Sequence, residues 1–231
     1  MTSAVRRRAV WGALALLILL MLLPYVLAPL YRYVDPISTP MIWRWLRGVR
    51  VERAWTPLEG VAPSLRFAVL AAEDARFCRH NGVDWDELRG VIRDADDLDD
   101  LRGGSTITQQ TVKNLFLWQG RSFVRKGLEF PLALWFDLVV PKRRIFEIYL
   151  NVAEWGPDGQ FGVSAGAQRA FGKPPSELTP REAALMAAVL PNPAQRDARH
   201  PRAGLRRLAR RYEVRAAAAA KGAGCVAPLV R

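Results

Sequence analysis

The chain is poor in the residues from which metal centres are built. It has two histidines, His80 and His200, and two cysteines, Cys78 and Cys225, in 231 residues. So few histidines exclude a multi-histidine metal site. The cysteines lie far apart without metal-ligand spacing, and the sequence is equally compatible with one disulfide or two thiols. Acidic residues are scarce beside basic ones, 22 against 34, for a formal net charge of +12. That balance favours an anionic partner but does not choose among nucleic acid, an acidic membrane surface and a phosphorylated substrate. No run alternates with a period of two, which argues against a sheet protein. The length suits one good-sized domain with a short appendage, not two enzyme domains. A chain 50% hydrophobic and 24% charged is composed for folding, not for disorder.

What is present begins with an uncharged apolar run from Ala9 to Tyr31, about 23 residues, the length that crosses a hydrocarbon core. A cleaved signal peptide is the alternative. Its apolar stretch would be shorter, and the best small-residue site, Val26-Leu27-Ala28, is followed at once by Pro29. The reading is therefore an uncleaved anchor. Arg6, Arg7 and Arg8 precede it, yet Arg32, Arg44, Arg47 and Arg50 follow, so the positive-inside count does not decide orientation.

The organisation expected is an arm at 1–8, an anchor at 9–31, a membrane-proximal connector at 32–62, a principal domain at 63–200, and a basic helix with its tail at 201–231. The connector carries several prolines and Trp43, Trp45 and Trp55 without sustained periodicity, as a segment running along a membrane interface would. Helical spacing begins near Ser64, and further helices are predicted at 107–118, 122–139, 142–153, 163–171, 180–190 and 202–221. The domain is expected to be mainly α. The acidic run from Asp94 to Asp100 lacks the glycine and terminal glutamate of a calcium loop and reads as a solvated turn. The Gly/Ala-rich tail is expected to be loose.

Three segments carry chemistry. In the first, helical spacing would put Glu73, Phe77 and His80 on one face, where an apolar ring raises a carboxyl toward the range of a general base. In the second, Arg102-Gly-Gly-Ser105-Thr106-Ile-Thr-Gln109-Gln110, Thr106 and Gln109 fit a capping box. Glycines before a helix start can present free N–H groups to an anion, and Lys113 lies one turn further on. In the third, Glu129 can pair with Arg125 and Lys126. Each segment alone has a structural reading: a surface helix, a well-capped amphipathic helix, and exposed ion pairs. Together they supply two carboxylates and a set of cations. A glycosidase expelling a sugar alcohol needs an acid at the leaving oxygen. A transferase expelling a diphosphate needs cations at the developing charge, and the clustering here fits the transferase better.

The motifs Glu73-Asp74-x-x-Phe77-x-x-His80-x-Gly82, Gly104-Ser-Thr-Ile-Thr-Gln-Gln110, Arg125-Lys126-x-x-Glu129 and Lys142-x-x-Ile145-x-x-x-Tyr149-Leu-Asn151 resemble, in order, the signatures of the family 51 glycosyltransferases of peptidoglycan synthesis. Arg181-Glu-Ala-Ala-Leu185 through Leu190-Pro191-x-Pro193 is similar to the last motif. Lys113-Asn-Leu-Phe-Leu-Trp118 and the single N-terminal span look like the monofunctional biosynthetic transglycosylases, and no Ser-x-x-Lys of a penicillin-binding transpeptidase occurs.

The resemblance implies a lysozyme-like, two-lobed glycosyltransferase domain behind one transmembrane helix, facing the periplasm from the inner membrane. It implies Glu73 as catalytic base and Glu129 as the second carboxylate. Lys113, Arg125 and Lys126 would serve the donor diphosphate, and Ser105, Thr106, Gln109, Gln110 and Asn114 would line the cleft. Glu129 is left with two roles, positioning Arg125 and Lys126 or holding magnesium or another divalent cation. No organic cofactor and no protein-only metal cage are expected. The partners expected are lipid II, the nascent glycan strand, the membrane and cell-wall synthesis proteins, with no nucleic acid. A lysozyme-like hydrolase and a membrane-tethered scaffold are the rivals. Pro131, soon after Glu129, departs from the expected pattern of the donor-side helix.

Overall fold

The computed structural model describes residues 3–93, 104–120 and 122–227. The acidic run at 94–100 and the Arg102-Gly103 pair lie outside the described residues. Helix α1, Ser3–Leu27, passes into a tight turn at Ala28–Arg32. The stretch Val5–Arg32, with mean hydropathy 2.5 and 6% of its most apolar window buried, is long and apolar enough to cross a membrane. The Trp135 indole N–H donates to the Tyr25 carbonyl at 2.9 Å, which ties the end of α1 to the folded domain.

The connector holds more structure than its composition suggested. Helix α2, Thr39–Leu46, starts where Ser38 accepts from the Met41 N–H and Pro40 occupies the first turn. Eight residues are too few to show a period in sequence. Arg144 clamps the segment before α2 by donating to the carbonyls of Tyr31 (2.9 Å) and Val34 (2.8 Å) and to Asp35 (2.8 Å). Asn151 pins the segment after it, accepting from the Thr56 N–H and donating to the Thr56 carbonyl.

The remaining helices form two packed groups. In one, α3 (Pro63–Glu73) meets α9 (Pro180–Val189) and α10 (Ala203–Gly222). Ala183, Ala184, Ala187 and Ala188 of α9 are fully buried, and side chains this small let the three helices approach closely. In the other group, α5 (Ile107–Phe116) packs on α6 (Phe123–Val139) and α7 (Lys142–Val152). Helices α4 (Trp85–Arg93) and α8 (Val163–Phe171) complete the set. Among the described residues there are no strands, only isolated bridges such as Glu52 with Gln160. Phe77, Phe136, Phe146, Tyr149 and Phe161 fill the core.

Helix α6 runs through Pro131, which sits in its interior and not in a first turn. The ring removes the N–H that would reach the Gly127 carbonyl, yet the helix continues to Val139. The aromatic residues around it divide. Phe136 is core, Phe116 stacks on Tyr31 at 5.6 Å and Phe130 on Trp85 at 5.9 Å. Phe123, Val124 and Leu138 are exposed, giving α6 an apolar outer face on the element that touches α1, and Trp118 is exposed in the turn before it.

The tail is not loose as far as Ala227. Cys225 is disulfide-bonded to Cys78, and Val226 is fully buried. Arg66 donates to the Val226 carbonyl at 3.2 Å and Arg143 to that of Ala227 at 2.8 Å.

Candidate active site

Glu73 is the last residue of α3, and the expected single helical face of Glu73, Phe77 and His80 does not exist. The chain leaves the helix at Asp74, whose φ of −165° is extended. The two adjacent carboxylates therefore point in different directions. Asp74 turns inward and accepts from the Ile107 N–H at 2.9 Å and from His80 Nε2 at 3.0 Å. It thus supplies the negative charge that the N-terminus of α5 favours. Free N–H groups for a substrate anion were expected there, and Asp74 fills that place instead. Phe77 packs on Phe146 and under the Lys142 ammonium, 4.5 Å from its ring centroid. Lys142 in turn pairs with Asp137 at 2.7 Å.

The capping box is formed. Thr106 Oγ1 accepts from the Gln109 N–H at 3.1 Å, and Gln109 Oε1 accepts from the Thr106 N–H at 3.0 Å. The Thr106 hydroxyl also donates to the Gly82 carbonyl at 2.6 Å. Both side chains are buried by this work, so they support α5 and do not line an open cleft. Gly82 has a φ of +81°, and a Cβ there would meet the Ala133 carbonyl oxygen at 2.5 Å, so glycine alone fits between the turn and α6.

Gln110 and Lys113, on the next turn of α5, do face Glu73. Gln110 donates to Glu73 Oε2 at 2.8 Å and accepts from the Tyr149 hydroxyl at 3.3 Å. Glu73 Oε1 is covered and has no hydrogen-bond partner among the described residues. Burial raises the Glu73 carboxyl above its ordinary value, against the Gln110 hydrogen bond and the charges of Lys113 and Arg196. Burial also lowers the Lys113 ammonium, helped by Arg125 and opposed by Glu73. Lys113 therefore lies within electrostatic reach of both carboxylate centres.

The second centre is on α6. Ser122 caps the helix, and one and two turns in from the cap Glu129 accepts from Arg125 and from Lys126 Nζ at 2.9 Å. Lys126 also donates to Ser105 Oγ at 2.8 Å, which joins this helix to the start of α5. Glu129 is 2% exposed, so the pair is not surface decoration. Burial and the charges of Arg125 and Lys113 push the Lys126 ammonium down to about 8. Asn114 is half-buried, and the Thr39 hydroxyl of α2 reaches the end of α5 here, donating to the Leu117 carbonyl at 2.6 Å with the Asn114 carbonyl at 3.2 Å.

Sequence reasoning did not single out Arg196 and Tyr212. Both lie within electrostatic range of Glu73. Arg196 is held by donation to the Ala188 carbonyl at 2.9 Å, in the turns after the Pro191-x-Pro193 stretch. That stretch was the only signal pointing to it. Among the described residues no group of three or more His, Cys, Asp or Glu could hold a metal ion. Both Glu129 oxygens are already taken by cations.

A half-buried carboxylate with one covered oxygen that lacks a partner among the described residues, facing a row of cations that leads to a second carboxylate, can accept a proton at one end and bind an anionic leaving group at the other. Residues 41–217 match the family model described as Transglycosylase. The chain is 60% identical over 213 residues to a biosynthetic peptidoglycan transglycosylase of Nitrobacter hamburgensis, covering 92% of this chain and 94% of that protein. It is 58% identical to a protein of the same name from Rhodopseudomonas palustris, with 92% and 94% covered. For one from Agrobacterium fabrum the identity is 49%, with 91% and 93% covered.

Proposed function

This chain belongs to the transglycosylase family, and we propose that it polymerises lipid II into β-1,4-linked glycan strands with release of undecaprenyl diphosphate. Its mainly helical, lysozyme-like domain and the name shared by its relatives give peptidoglycan as the substrate. The observation that carries the finer reading is Glu73 Oε1, covered and without a partner among the described residues, near a cationic row.

In the proposed step Glu73 takes the proton from the C4 hydroxyl of an incoming lipid II sugar through Oε1. The hydroxyl oxygen forms a bond to the anomeric carbon of the growing strand as the carbon–diphosphate bond breaks on the opposite face. The electron pair leaves with the diphosphate, and configuration inverts without a covalent intermediate. Gln110, held by Tyr149, fixes the Glu73 rotamer. Lys113, Arg125 and Lys126 meet the negative charge as it develops, the arrangement most valuable where water is excluded. Ser105 and Glu129 hold Lys126 in place for that task. The residues present do not fit a protein-bound divalent ion at Glu129, whose oxygens both accept from Arg125 and Lys126.

The N-terminal apolar helix anchors the chain as a single-pass protein. The Cys78–Cys225 disulfide supports an extracytoplasmic, periplasmic domain, since such bonds persist in oxidising compartments. A monofunctional enzyme fits a family match that extends over most of the chain. Labelled lipid II given to the detergent-solubilised chain tests the reading. Polymer with equivalent release of undecaprenyl diphosphate is expected. Soluble fragments from finished wall, with lipid II untouched, would point to the hydrolase.

A further inference from the structure

The strongest unassigned feature is the outer face of α10. Arg207, Arg210, Arg211 and Arg215 recur at helical spacing and are exposed. Among the described residues none of them is paired with a carboxylate, although Arg169, Arg144 and Arg76 elsewhere each hold two. With Gly204 and Val214 they line an open trough of about 910 Å³. A second concavity of about 560 Å³ adjoins it, sharing Gly204, and its lining includes Arg196, Arg202 and Leu208. The acidic residue on that rim, Asp197, is already bound by Arg169 at 2.8 Å. Arg196, like Lys113, is a cation whose charge reaches Glu73. The basic path therefore starts within electrostatic range of the candidate base and runs out along α10. It lies on the group α3, α9 and α10, whereas the anchor packs on α6.

We propose that this trough is a binding track for the glycan strand, in which the α10 arginines hold the free carboxylates of its stem peptides. The proposal rests on the peptidoglycan reading above. Four guanidiniums along two and a half turns suit a ligand that carries carboxylates repeatedly along its length, because each arginine can form a forked pair with one of them. The position beside Arg196 favours the strand over phospholipid, since a lipid-binding face would be expected on the side of α1 and α6. The track would keep the strand near the site between additions, so its loss shortens the products.

The test uses the full chain in nonionic detergent and fluorescent, uncross-linked glycan strands without lipid. Anisotropy is read for the wild type, for Arg207→Gln/Arg210→Gln/Arg215→Gln, and for a charge-matched control, Arg47→Gln/Arg93→Gln/Lys221→Gln. The trough variant should bind about tenfold more weakly or worse, the sum of three exposed ion pairs. The control should bind like the wild type. Strands whose peptide carboxyls have been amidated should bind the wild type as weakly as the variant binds free-acid strands. Equal affinity of wild type and trough variant, equal loss in the control, or indifference to amidation would each overturn the proposal. Loss of retention on phosphatidylglycerol vesicles with strand binding intact would overturn it in favour of the membrane. No lipid-linked substrate is present, so the result stands apart from whether the chain polymerises lipid II.

Discussion

Gln110 donates one hydrogen bond to Glu73, at 2.8 Å to Oε2, and leaves Oε1 buried without a partner among the described residues. A buried acceptor left open costs about 1–3 kcal/mol, so its retention needs a reason. A proton arriving from substrate supplies one.

The raised Glu73 carboxyl makes this cost visible in stability. Because burial raises its folded value above the unfolded one, the folded state holds the proton more tightly. Stability from this group is present below the unfolded value, about 4.3, and is lost as pH rises through the folded value. Glu73→Gln stays neutral throughout and keeps an acceptor for Gln110. It should melt at a higher temperature than the wild type near pH 8, with the difference vanishing near pH 4. Thermal melts at both values check this, and a variant less stable at pH 8 would show that Glu73 is not desolvated.

Lys126 sets the other side of the pH profile. Its ammonium, at about 8 in the free protein, must be charged to meet a diphosphate. The kcat/KM for lipid II should therefore fall as pH rises through about 8. Lys126→Arg, which stays protonated, should move that fall to higher pH even if the maximum is lower. An unmoved basic limb would assign it to another group.

Lys113 is the bridge between the two centres. Lys113→Ala should slow turnover by about 10²–10³, the usual effect of losing one charge-stabilising group. The melting temperature should change little, because a half-buried ammonium is removed with its desolvation cost. Single-turnover rates and melts on the same preparation separate the two effects.

The disulfide joins the segment just after Glu73 to the Gly224–Val226 turn that follows α10. Cys225→Ser should destabilise the domain by about 2–5 kcal/mol. Wild-type protein in reductant should lose stability to a similar degree, and reductant should leave the variant unchanged. Denaturant melts with and without reductant read this directly.

Much of this arrangement was legible in the sequence. The apolar span, most helices, the Thr106–Gln109 box and the pairing of Glu129 with Arg125 and Lys126 depend on neighbours within one turn, and local spacing encodes them. What escaped depends on where the chain turns. Nothing local says that α3 stops at Glu73, so Asp74 was not separable from it as an acceptor for the first N–H of α5. The Cys78–Cys225 bond and the approach of Arg196 to Glu73 span over a hundred residues and follow only from packing. Helix α2 is too short to show a period.

The most direct test of the central claim is a gel of products from labelled lipid II, with wild-type protein beside Glu73→Gln. A ladder of glycan polymer is expected from the wild type, with a rate lower by about 10²–10⁴ in the variant, the usual worth of a positioned base. A variant that is folded and polymerises at a near-normal rate would contradict it.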